Sequence, residues 1–138
     1  MINFLRQYWL STFVIVIILI LCFMNTTPLP VVPVRNIDKL VHTIMFLGLS
    51  GVIFFDGTRY LRFPISKMQI FWSVFLFPTL LGGVIEILQG IITKSRSGDW
   101  FDFLFDIFGT IFGWGIALLI NHYYLEKKIV RQDRNLQF

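Results

Sequence analysis

Apolar and polar positions divide the chain into four apolar runs separated by short polar segments. The first covers residues 8–24 (YWLSTFVIVIILILCFM), with Arg6 ahead of it and Asn25-Thr26-Thr27-Pro28 behind. A secretory signal would end in a small-x-small cleavage site, and none stands here, so the run is predicted to remain as an uncleaved anchor. The second, residues 39–56, is interrupted by His42, Thr43 and Ser50. Its apolar part falls short of the ~20 residues of a spanning helix, and it needs Asp38 and Lys39 at its start to reach the headgroups. The third, residues 70–92, carries Pro78, Gly82, Gly83 and Glu86, and the fourth, residues 100–124, carries Asp102, Asp106, Gly109 and Gly113. None alternates with period 2, and a lipid interior admits only helices or closed barrels. The pattern predicts an all-α, integral membrane four-helix bundle, one domain over residues 1–138.

Composition narrows the class. Charged residues make up 14% of the chain and hydrophobic residues 56%, against ~25% charged in soluble domains. A fold this small exposes a large share of its surface, so it cannot hide 16 Phe and 4 Trp from water. A soluble domain is excluded, a disordered chain, a disulfide scaffold and a nucleic-acid-binding domain are disfavoured, and the bilayer is the first partner. Cys22 is the lone cysteine, which rules out an internal disulfide. Leu19-Ile20-Leu21 ahead of it lacks the small residue of a lipoprotein cleavage site, so it is read as a small core hydrophobe.

The net charge of +4 is unevenly distributed. Four spans put both termini on one side, together with Arg6, Arg59, Arg62, Lys67, Lys127, Lys128, Arg131 and Arg134, most of the 12 basic residues. The positive-inside rule makes that side cytoplasmic. The basic segment 125–138 is then a topology signal and a solvated cytoplasmic tail, and the Pro-rich stretch 27–34 (TPLPVVPV) is expected to lie extended at the outer surface.

Acidic residues show the opposite bias. Asp38, Glu86, Asp99, Asp102 and Asp106 all fall near the outer ends of helices 2 to 4. Asp38 and His42 are four residues apart and share a helix face, and Glu86 and Gln89 share another. At ~1.5 Å rise per residue the set lies within roughly 10 Å of the outer interface. Asp99, Asp102, Asp106, Gly109 and Gly113 form a single seam along helix 4. Its Gly109-Thr-Ile-Phe-Gly113 pattern permits close helix approach, within the chain or against a second copy in a homo-oligomer.

The blocks Asp38-Lys39-x-x-His42-x-x-x-Phe46, Glu86-x-x-Gln89, Arg96-x-x-Asp99-x-x-Asp102, and Gly109 with Gly113 together resemble the VanZ-like family of small bacterial membrane proteins. That family is named for a member linked to teicoplanin resistance. The resemblance covers residues 37–119 and departs at Asp106, where the family pattern usually has Asn. It implies the bacterial plasma membrane, a multi-pass chain and a role at the cell envelope, but supplies no reaction and no cofactor.

Ionisable groups inside a membrane are expensive and usually functional. The candidate catalytic residues are His42 and Glu86 as an acid–base pair, with Asp102 orienting His42. Lys39, Arg96, Gln89, Asp38, Asp99 and Asp106 are candidates for binding the headgroup of a lipid-linked envelope molecule or a glycopeptide, Arg96 by bidentate bonding. Asp99 also stands where an N-cap would. No HExxH or comparable spacing occurs, so no metal is expected, and His42, Glu86, Asp102 and Asp106 are the only weak ligand candidates. Two alternatives stay beside the enzyme: a non-catalytic binding module, and a structural ion-pair network joining helices 2 to 4. Transport ranks last, because the inner half of the bundle holds no matching acids.

Overall fold

The computed structural model describes residues 6–24, 37–60, 65–92 and 100–136. They form four helices, with no strand among the described residues: α1 (Trp9–Phe23), α2 (Ile37–Tyr60), α3 (Lys67–Ile92) and α4 (Trp100–Leu136). The last three are long and apolar enough to cross a membrane, while α1, at 15 residues, is shorter. Helix α2 runs 24 residues, beyond the 39–56 expected at both ends. The segment 125–136, expected as a separate solvated tail, continues α4, whose 37 residues extend about 55 Å at 1.5 Å per residue. The Pro-rich stretch 27–34 lies outside the described residues.

Helix α3 starts at Lys67 because Ser66 and Gln69 form a capping box. Gln69 N donates to Ser66 Oγ at 3.2 Å and Ser66 N donates to Gln69 Oε1 at 3.3 Å. Pro78 then shapes the middle of the helix. Lacking an N–H, it cannot donate to the carbonyl of Val74 four residues earlier. The turn before it, Phe71–Leu76, is π-helical, and Ser50 Oγ of α2 donates to the Val74 carbonyl at 2.9 Å. A polar side chain in α2 thus satisfies an acceptor in lipid-depth backbone that proline leaves open. Trp114 of α4 packs on the same turn, with ring centroids 5.9 Å from Phe71 and 5.6 Å from Phe75.

The most extensive helix pairing is α2 with α4. Gly109 lies against the Thr43 carbonyl and the Leu47 amide, and Gly113 against Ser50. The glycine stripe therefore faces α2 of the same chain. Phe46, Leu49 and Ile85 fill the core beside it. On the outside, large apolar side chains such as Ile91 (76% exposed) and Leu119 (70%) stand open on the helix surfaces. Such open apolar surface suits contact with lipid tails.

Helix α1 is secured at both ends by side chains from its neighbours. Its N-cap position, Tyr8, supplies no side-chain acceptor. Asp56 of α2, fully buried, fills that role: its Oδ2 accepts from Ser11 N at 2.9 Å and from Ser11 Oγ at 2.7 Å. An acid at a helix N-terminus satisfies an orphan donor and complements the dipole. At the other end, Gln89 Nε2 of α3 donates to the Cys22 carbonyl at 2.8 Å. Asp56→Ala should lower unfolding free energy in detergent by about 2 kcal/mol through loss of this cap, and Asp56→Asn, which keeps an acceptor, should lose less. Equal midpoints for wild type and Asp56→Ala in thermal unfolding followed by circular dichroism would contradict it.

Candidate functional site

Three helices each deliver one ionisable side chain to a common point at the α4 N-terminal end of the bundle. His42 comes from α2, about one and a half turns past its start. Glu86 comes from α3, two turns past Pro78, and Asp106 from α4, two turns in. Their donor atoms lie within 4.8 Å of one another, and all three are buried, at 3%, 4% and 0% exposure respectively. His42 Nδ1 and Asp106 Oδ1 are 2.9 Å apart, with the ring N–H donating to the carboxylate when Nδ1 carries the proton. On the opposite edge of the ring, Nε2 lies 4.0 Å from Asp102 Oδ2. The sequence placed Asp102 as the group that orients His42; in the structure Asp106 is the nearer partner, and Asp102 faces the other nitrogen. Asp102 is also the most open member of the cluster, with 17% of its side chain exposed.

The fold makes room for this arrangement in specific ways. A Cβ on Gly82 would come within 2.9 Å of Asp106 Oδ2 and 3.2 Å of the Phe46 ring. Only a glycine lets α3 pass this close to the carboxyl. Gly109, one turn below Asp106, lets α4 approach α2 at Thr43, the residue after His42. The buried Asp106 Oδ2 has no hydrogen-bond partner. One turn below the cluster, Thr110 of α4 pairs with Thr79 of α3 at 3.1 Å.

Other sequence candidates are placed elsewhere. Lys39 is half-buried on α2, with its Nζ 5.2 Å from the Phe101 ring centre and 5.8 Å from that of Phe105. It stands in a groove of about 480 Å³ along the α2–α4 flank, lined otherwise by Leu40, Thr43, Phe105, Phe108 and Phe112. None of the three buried cluster residues lines that groove. Asp38 is exposed in the first turn of α2. Gln89 is buried and turned to α1 through the Cys22 carbonyl. Arg96 and Asp99 lie outside the described residues.

Asp56, Ser50, Thr110 and Asn121, none of them among the candidate site residues of the sequence, are all buried. Asn121 clamps the start of the α3 segment, accepting from Ile65 N and donating to its carbonyl, each at 2.9 Å. A polar side chain within an apolar run is the signal that would have found them, since lipid-facing positions disfavour such groups.

His42 from one sequence block, Glu86 from the next and Asp102 with Asp106 from the last are thereby brought together in space. Residues 2–121 match the family model described as VanZ/LLP1. The chain belongs to the VanZ/LLP1 family. The match takes in α1, which the motif blocks over residues 37–119 left outside. No curated protein and no solved structure matches the chain. For this VanZ-like membrane protein the cluster geometry is therefore the main guide to chemistry.

Proposed function

We propose that the His42–Glu86–Asp106 cluster is the functional centre of this protein. In this reading it binds or acts on an anionic amphiphile of the cell envelope, a lipid-linked molecule or a glycopeptide. One observation carries the proposal: three ionisable side chains from three helices meet within 4.8 Å inside an apolar bundle. Each costs several kcal/mol to desolvate, and apolar packing would join the helices without that cost. Asp106 at Nδ1 and the partly exposed Asp102 near Nε2 flank the imidazole at both edges, surroundings that suit proton exchange or ligand contact at the ring. Lys39 supplies a positive charge for a phosphate or carboxylate headgroup, and the largely apolar lining of its groove suits an acyl or prenyl chain. The excess of basic residues near both termini supports a chain with cytoplasmic termini in a bacterial plasma membrane, with the cluster toward the outer side.

A purely structural network is the second reading, favoured by the burial of all three cluster residues at 4% exposure or less. Complementation separates the two. In cells lacking the chromosomal copy, His42→Asn and Glu86→Gln are expected to lose the glycopeptide-susceptibility phenotype of the wild-type chain, while their membrane levels and melting temperatures in detergent stay close to wild type. Variants that melt far lower and vanish from the membrane would favour the network. A Glu86→Gln chain with the full phenotype would count against acid–base chemistry and for binding alone.

A further inference from the structure

We infer that the cluster is a site for one divalent first-row metal ion, held by His42 Nδ1, Asp106 and Glu86, with Asp102 as the outer carboxylate that holds the imidazole from behind. The inference rests on the cluster being the functional centre and deepens that reading by naming what occupies it.

The donors fit such an ion. Nitrogen and carboxylate ligands bind it at about 2.0–2.2 Å. His42 Nδ1 and Asp106 Oδ1 are 2.9 Å apart, so both can reach one ion about 2.1 Å away at an angle near 90°. Ligands on opposite sides of such an ion stand about 4.2 Å apart. Donor atoms within 4.8 Å of one another are close to that span, so rearrangement of the side chains alone, without helix movement, can close them on one ion. Asp106 Oδ2 is buried without a hydrogen-bond partner, which gives that carboxyl an open lone pair beside the one engaged with the ring.

The outer edge of the imidazole points the same way. A metal-bound histidine commonly donates its other N–H to a carboxylate, which fixes the tautomer and strengthens the ligand. Binding at Nδ1 moves the single proton of the neutral ring to Nε2, so the histidine neither gains nor loses one. Asp102 Oδ2 lies 4.0 Å from that nitrogen, and a small ring rotation brings it to hydrogen-bond distance. The mixed imidazole–carboxylate set favours zinc or manganese over calcium, which prefers all-oxygen shells. The burial of His42, Glu86 and Asp106 is no obstacle to a single ion. Three protein ligands leave further positions for water or for a phosphate or carboxylate oxygen. The absence of a linear metal motif carries little weight here, because the three ligands come from three different helices.

The test uses full-length protein, tag removed, purified in detergent, stripped with EDTA and titrated with Zn²⁺ and with Mn²⁺ in separate experiments. Bound metal after desalting is counted by elemental analysis, affinity is measured by calorimetry, and melting temperature is recorded with and without the ion. One ion per chain and a raised melting temperature are expected. Glu86→Gln and Asp106→Asn should each weaken binding at least ten-fold, and Asp102→Asn should weaken it about 10–100-fold as an outer-shell change. His122→Ala, at an exposed position far along α4, should bind as wild type does. A wild-type chain that retains no ion and melts at the same temperature with and without metal overturns the inference. So does undiminished binding in both Glu86→Gln and Asp106→Asn. Loss of phenotype in His42→Asn without metal binding by wild type would remove the ion and leave the functional centre in place. Metal binding by wild type, with an unchanged phenotype in His42→Asn and Glu86→Gln, would do the reverse.

Discussion

Gly109→Leu should leave little folded protein in detergent, and Gly109→Ala should already cost about 1–3 kcal/mol. A side chain at this position does not meet a rotatable group. It meets the Thr43 carbonyl, with the Leu47 amide nitrogen 3.0 Å and Phe46 Cβ 3.2 Å away. Backbone cannot swing aside, so α2 must move bodily off α4. That shift carries His42, the residue before Thr43, away from Asp106, and the loss should extend from stability to the site. Gly113→Leu is expected to behave similarly, because its Cβ would strike Ser50. Ser50 would then be displaced from the Val74 carbonyl that Pro78 leaves without a donor. Gly48→Ala and Gly115→Ala are the controls. Nothing lies within 4 Å of a Cβ at either position, so both should melt within about 0.5 kcal/mol of wild type. Thermal unfolding by circular dichroism reads all five. A Gly109→Leu chain that melts within a few degrees of wild type would mean that close approach is not what holds α2 to α4.

The architecture was legible because membrane helices declare themselves by length and apolarity. The four runs and the glycine seam needed no tertiary information. Boundaries were less legible where polar residues at helix ends resembled loop. Asp56 and Arg59 were assigned to the end of the second span and the segment beyond it, yet α2 continues through Tyr60. The capping box Ser66-Lys-Met-Gln69 was readable in advance, and it moves the start of α3 from residue 70 to Lys67. The π-helical turn was not readable. A proline predicts a disturbed turn, but which neighbour answers the open carbonyl depends on the register between α2 and α3.

The site divided in the same way. Spacing on single helices placed His42, Glu86, Asp102 and Asp106 at similar depths, and the structure brings His42, Glu86 and Asp106 together with Asp102 at the edge. Which carboxyl meets which nitrogen depends on helix rotation and translation of about an ångström, which spacing does not encode. Asp56 was missed for a different reason. It stands at the end of the second run, where a helix-end charge is ordinary, yet it is fully buried on Ser11. Its partner lies 45 residues away in α1, and no local pattern connects the two.

Asp106→Ala is expected to be the most damaging single change in the cluster, at about 3 kcal/mol or more, whereas Asp106→Asn should cost about 1 kcal/mol or less. Alanine removes the acceptor of the His42 ring and leaves a buried N–H with nothing at 2.9 Å. Asparagine keeps a carbonyl oxygen in the same place, and its amide occupies the position of Oδ2 beside Gly82. Asparagine is also nearly isosteric with aspartate, so it fills the same space. If the ring contact carries the cost, His42→Ala with Asp106→Ala will be less damaging than the two single losses added, with a coupling of about 1–3 kcal/mol. Strict additivity would mean that the 2.9 Å contact contributes nothing of its own. Equal losses for Asp106→Ala and Asp106→Asn would mean that the negative charge, rather than the hydrogen bond, holds His42 in place.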